Sequence, residues 1–230
     1  MMKRSLIILF LLSFRFGVSQ LVTDSTAIDT HYLEDQFYLG FTYNFLLQKP
    51  DVVNQRNLSY GLQGGFIKDI PLNDSRTVAV GLGLGYGVYS YYSNLRATEI
   101  EGGYEYSILD DDNDYKRNKI ETHMLEVPFE FRWRNSNAVS YKFWRIYTGF
   151  KLGYVAGGRS KYVPVEGRKQ SFYNTDIKRL QYGLTFNFGY NTFNLHAYYA
   201  LSSLFVDNVN LDGSTIDIKP LRLGLIFYIL

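Results

Sequence analysis

Cysteine is absent from this 230-residue chain. Disulfides and thiolate metal sites are thereby removed, and an exported fold must be held by ladder hydrogen bonds and packing. Beyond Phe14 there is no apolar run of helix-spanning length, which excludes insertion as a membrane helix. A transmembrane barrel is not excluded, because its lipid-facing residues are every second one and disappear in a windowed average. The mean hydropathy of −0.16 fits that pattern. Charge of one sign is missing too. The formal +2 becomes −1 once Lys3, Arg4 and Arg15 of the leader are set aside, leaving 21 basic against 22 acidic residues. Such a balance gives nucleic acid no footing. Histidine is scarce, and His31, His123 and His196 have no metal-ligand spacing. No serine stands in a nucleophile elbow and no Walker loop occurs, so the residues imply no enzyme, no cofactor and no small-molecule substrate.

What is present begins with a leader. Lys3 and Arg4 precede the apolar stretch 5–14, and small residues Gly17 and Ser19 follow. This is the pattern of a cleaved secretory signal peptide over 1–19. The polar segment 20–35 reads as a short periplasmic arm, and 36–230 as a barrel domain. Aromatics make up 17% of the chain, with 21 Tyr and 17 Phe. Tyrosine suits a membrane interface, where its ring is buried and its hydroxyl is wet.

The barrel reading rests on two-residue alternation. Val78, Val80, Leu82, Leu84, Tyr86 and Val88 share one face, and Gly81, Gly83, Gly85 and Gly87 share the other. Glycine cannot fill a core, and no amphipathic helix follows to cover the apolar face, so lipid is the expected cover. Similar alternation predicts strands over 36–47, 57–67, 77–91, 121–134, 143–155, 178–190, 193–204 and 218–230. The expected fold is all-β: a transmembrane antiparallel up-and-down β-barrel of about eight strands. Links after the second, fourth and sixth strands are short, whereas 93–119, 156–177 and 205–217 are long. Since outer-membrane barrels keep short turns in the periplasm, both termini are expected there. The short link 48–55 is the exception.

A lumen of about eight strands is filled by side chains. Glu126, Glu130, Arg132 and Arg134 share the inward face of the fourth strand, and Arg145 and Lys151 that of the fifth. They form a candidate buried ion-pair network. Weaker patterns accompany it. Asp110, Asp111, Asp112, Asn113, Asp114 and Glu121 partly match a calcium loop, but Tyr115 stands where glycine makes the turn and Lys116 and Arg117 repel a cation. His196 with Ser202 lacks a paired acid and oxyanion donor, so a bonded lumen histidine is expected. Arg159, Lys161, Arg168 and Lys169 in the third external loop, 156–177, are available to anionic lipid heads, though solvated loop charges are the commoner explanation.

Three stretches carry a family likeness: Gly65-Phe66-Ile67-Lys68-Asp69-Ile70-Pro71-Leu72-Asn73, Glu126-Val127-Pro128-Phe129-Glu130-Phe131-Arg132-Trp133-Arg134, and Phe143-Trp144-Arg145-Ile146-Tyr147-Thr148-Gly149-Phe150. They resemble the PorT family of Bacteroidetes outer-membrane β-barrels, and the likeness spans most of the mature chain. The resemblance implies a non-enzymatic component required for protein export by the type IX secretion system, with support of gliding motility alongside it. It implies outer-membrane lipid and other type IX components as partners. The chain departs from many such barrels in ending on Ile229 and Leu230 instead of an aromatic residue. Asp69, Pro71 and Asn73 form a candidate periplasmic docking turn, although a rigid register-setting turn explains the same residues. The alternative function is a small porin-like or adhesion barrel with no secretion role, followed by a lipid-modifying outer-membrane enzyme.

Overall fold

The computed structural model describes residues 35–110, 115–135, 143–191 and 193–229. The leader, nearly all of the arm, His31, the acidic run 111–114, Thr192 and Leu230 lie outside the described residues. Thirteen strands follow one another: β1 Asp35–Leu47, β2 Tyr60–Pro71, β3 Val78–Tyr92, β4 Leu95–Ile100, β5 Gly103–Ile108, β6 Tyr115–Arg134, β7 Trp144–Pro164, β8 Gln170–Tyr173, β9 Leu180–Tyr190, β10 Phe193–Ala200, β11 Asn210–Leu211, β12 Ser214–Thr215 and β13 Lys219–Ile229. Eight of them close on themselves in the order β1, β2, β3, β6, β7, β9, β10, β13. The seam is antiparallel, with Phe37 opposite Ile229 and Phe41 opposite Leu225. Closure pairs every wall strand on both sides and abolishes sheet edges, which is what a backbone in hydrocarbon requires.

Alternation sorts the side chains as the sequence implies. Phe37, Leu84 and Phe193 are 63%, 70% and 69% exposed on the outer wall, whereas Asn44, Thr122, Asn187 and Arg222 are buried inside. An apolar wall of this extent is stable only against lipid. The inner glycines have a specific use. A Cβ at Gly81 would meet Arg132 Nε at 2.7 Å, one at Gly87 would meet the Tyr89 ring at 2.6 Å, and one at Gly85 would collide with Tyr38 Oη. The bare β3 backbone is therefore the floor on which the large side chains of Tyr38 from β1, Arg132 from β6 and β3's own Tyr89 lie.

Strand lengths differ from expectation at the end of the barrel that carries the long links, here the loop end. β6 starts at Tyr115 and β7 runs on to Pro164, so the two pair far beyond the apolar band, with irregular register between His123 and Met124. Charged outward residues there hide a pattern that remains strand because each strand has the other as partner. Link 93–119 contains the β4–β5 hairpin, link 156–177 contains β8 on the β7 extension, and the last link contains β11 and β12. These links fold inward. Leu204, Phe205, Ile218, Val53 and Leu95 are at most 2% exposed and join Tyr91, Ile120 and Val155 in one apolar cluster across the loop end. Opposite lies the turn end, where β2 meets β3, β6 meets β7 and β9 meets β10. In the first of these, Asn73 Oδ1 accepts the Val78 amide at 3.1 Å while its Nδ2 donates to Thr77 Oγ1 at 2.7 Å.

Gly85→Ala is expected to destabilise the barrel by about 1 to 3 kcal/mol through overpacking against Tyr38. Tyr38 Oη makes no hydrogen bond among the described residues, so adding Tyr38→Phe recovers most of that loss in urea titrations of the vesicle-inserted protein.

Candidate functional site

The lumen is organised in layers. Nearest the turn end, Asp69 of β2 bridges Arg132 and Arg134 of β6, one carboxylate oxygen to each. Arg132 also donates to Glu130 Oε2 at 2.9 Å, and its guanidinium lies 4.5 Å from the Tyr147 ring and 5.2 Å from that of Tyr228. Arg134 Nε donates to the Arg76 carbonyl at 2.8 Å, which ties this layer to the β2–β3 turn. Glu130 Oε1 accepts from Asn187 Nδ2 at 3.2 Å, and Asn187 Oδ1 sits 2.6 Å from His196 Nδ1.

In the middle layer Glu126 receives Lys151 at 3.1 Å and the Tyr89 hydroxyl at 2.7 Å. Lys151 also donates to Gln63 Oε1 at 2.6 Å. Arg222 of β13 approaches Glu126 at 3.7 Å. Its guanidinium lies 3.5 Å from the Tyr89 ring and 4.5 Å from the Tyr198 ring, with Nε donating to Tyr91 Oη at 3.1 Å. Above this layer the apolar cluster seals the lumen.

All six residues expected in the lumen network are buried. Lys151 meets Glu126, and Arg132 meets Glu130. Arg134 reaches neither glutamate and is held by Asp69. Arg145 pairs with no carboxylate among the described residues; it stands opposite Arg134, donates to the Asn191 carbonyl at 2.8 Å and covers the Phe143 ring at 4.5 Å. Asp69 is not a turn residue, because β2 runs four residues past Ile67 and carries its side chain inside. Lys68 facing outward and Ile67 inward disguise that continuation. Pro71 closes β2 half-buried, and Asn73 is exposed in the turn. Arg222 was missed, although its inward parity between Leu221 and Leu223 was visible. His196 is a bonded lumen residue, while Ser202 donates at the loop end toward the Tyr182 carbonyl. Among the described residues no cluster of three His, Asp or Glu is placed to hold a metal.

A profile of the outer membrane protein beta-barrel domain matches residues 18–206. The chain belongs to that family. It is an outer-membrane β-barrel of eight strands. No curated protein matches it in sequence. Among solved structures it is similar to Ail, the attachment invasion locus protein of Yersinia pestis, at 16% identity and TM-score 0.35, over 85% of this chain and 98% of Ail. A second Ail structure, in complex with the heparin analogue sucrose octasulfate, gives 14% identity and TM-score 0.34 with the same coverage. The strand register, and not these likenesses, defines the architecture of this outer-membrane barrel.

On the outer wall beyond the apolar band, Tyr86 Oη lies 2.6 Å from His123 Nδ1. One step further, Glu121 accepts from Lys119 and, at 3.0 Å, from Lys161. Partial burial pushes the Glu121 carboxyl up, and the two lysines outweigh it, holding the group down at about 2.

Asp69→Asn leaves the buried Arg134 guanidinium without a carboxylate and Arg132 with Glu130 alone, and is expected to cost about 3 to 5 kcal/mol. The exposed Lys178 and Asp207 pair, 3.0 Å apart, is expected to contribute less than about 1 kcal/mol. Equilibrium unfolding of Asp69→Asn and Asp207→Asn side by side checks the contrast.

Proposed function

We propose that this barrel is neither an enzyme nor a pore, and acts by presenting its folded loop end outside the cell, as a docking or adhesion barrel does. The observation that carries this reading is the apolar cluster of Leu204, Phe205, Val53, Leu95 and Ile218 above a fully occupied charged lumen. Water and ions have no continuous path through side chains packed in this way. Long structured links at one end and shorter links at the other match the family habit of long loops outside and short turns in the periplasm, which supports periplasmic termini. In planar bilayers the purified barrel is expected to give no steady open-channel current; sustained conductance overturns the reading.

A second reading, a component of type IX secretion, is favoured by where the family-like segments lie. Residues 65–73, 126–134 and 143–150 fall on β2, β6 and β7, and their inward residues Asp69, Glu130, Arg132, Arg134 and Tyr147 meet in the turn-end layer. Segments resembling one family thus build one contiguous region, whose exposed part is the turn bearing Asn73. Deleting the gene and measuring sorting-domain cargo in the medium tests it. Cargo retained in the cell supports the secretion role; unchanged cargo removes it and leaves the docking reading standing.

A further inference from the structure

The outer wall changes chemistry on one side of the loop end. On β6 and β7 the outward positions beyond His123 and Tyr154 include Arg117, Lys119, Glu121, Arg159 and Lys161. The register sets Lys119 opposite Lys161 and Glu121 opposite Arg159. Like charges facing each other across a ladder are unfavourable unless an anion stands between them. Glu121 serves both lysines, but one carboxylate against four cations leaves a local surplus. On the β9–β13 side of the same rim, by contrast, Lys178 meets Asp207 at 3.0 Å and Lys219 meets Asp217 at 3.5 Å.

Two grooves flank the surplus. One, of about 250 Å³, opens where β7 leaves β9, over the side-chain-free Gly157 and Gly158 between Tyr154, Tyr173 and Arg179. Arg159 covers the Tyr173 ring at 4.4 Å and bonds its hydroxyl. The other, of about 280 Å³, lies between Tyr60, Tyr92, Lys116 and Arg117. The first joins the exposed rings of Tyr154 and Tyr173, and the second the half-buried rings of Tyr60 and Tyr92, which accept the C–H face of a sugar ring, to cations that bind phosphate through charge-assisted hydrogen bonds. Tyr154 and Leu58 at their borders belong to the apolar outer wall, so an occupant touches the hydrocarbon boundary and the cations together.

We propose that this one-sided rim binds the phosphorylated sugar headgroups of glycolipids in the adjoining leaflet, with phosphate at Arg159 and Arg179 beside one groove and at Lys161 and Arg117 toward the other. A soluble sugar phosphate carries the same polar chemistry; continuity with the lipid-facing wall selects the lipid. The proposal rests on the loop end facing outward.

The test titrates the detergent-solubilised full-length barrel with monophosphoryl lipid A and with its dephosphorylated form. The wild type is expected to prefer the phosphorylated lipid by at least about tenfold. Arg117→Gln combined with Arg159→Gln, Lys161→Gln and Arg179→Gln abolishes the preference while the heat-modifiable gel shift stays that of a folded barrel. Should that variant not fold, Arg159→Gln with Arg179→Gln alone is expected to lower the preference severalfold. Equal binding of the two lipids by the wild type, or an unchanged preference in a folded variant, overturns the proposal. Competition by glucosamine phosphate at concentrations matching the lipid also overturns it, in favour of a soluble ligand. Orientation is read separately. In this cysteine-free chain Glu101→Cys at the tip of the β4–β5 hairpin is expected to react with impermeant maleimide on intact cells, and Asn73→Cys only after permeabilisation. The reverse pattern refutes the outward loop end whatever the binding result.

Discussion

Eight strands close on a lumen too narrow for water to solvate a charge, and yet this lumen is lined by charges. Asp69, Glu126 and Glu130 face Arg132, Arg134, Arg145, Lys151 and Arg222, so the cations outnumber the acids. With too few carboxylates for the cations, the desolvated guanidiniums need another source of negative potential, and the tyrosine faces provide it. Tyr147 and Tyr228 border Arg132, and Tyr89 and Tyr198 border Arg222. The glycines of β3 follow from the same constraint. Bulky planar groups stacked across a narrow bore need a wall without side chains, and a residue larger than glycine at 81 or 87 would occupy the space of Arg132 or Tyr89.

The two ends answer different demands. At the turn end, polar groups reach the backbone of the links themselves, as Arg134 reaches Arg76 and Arg145 reaches Asn191. At the loop end the links are long enough to turn their apolar residues inward, and the bore finishes in a small hydrophobic core. Tyr106 in the β4–β5 hairpin bonds Asn174 and Asp176, and burial ahead of the nearby carboxylate pushes its phenol well above the ordinary range. The hairpin is thus fixed to the turn that follows β8, and the surface it presents has a defined shape.

Alternation made the wall legible, because a residue's parity decides whether it meets lipid or lumen, and lipid tolerates few polar exceptions. That is why Glu126, Glu130, Arg132 and Lys151 could be placed inside from sequence. Pairing was less legible, since parity says nothing of height: Arg145 shares the inward face with Glu130 but stands level with Arg134. Asp69 was hidden by an apolar inward neighbour and a charged outward one, Ile67 and Lys68, which imitate the end of a strand. Beyond the apolar band, alternation between hydrocarbon and bore no longer applies. The upper halves of β6 and β7 and the inward packing of Leu204, Phe205 and Ile177 depend on tertiary contacts that no period announces.

The unequal heights of the strands bear on how the barrel is put together. β6 and β7, 20 and 21 residues long, form the tallest ladder and are joined by the brief link 135–143. Closing so small a loop costs little chain entropy, and contacts near in sequence form fast. The β1–β13 seam joins opposite ends of the chain and can zip up after the wall between them exists. The β1–β13 pairing thus closes the largest loop of any in the wall and carries the highest chain-entropy cost.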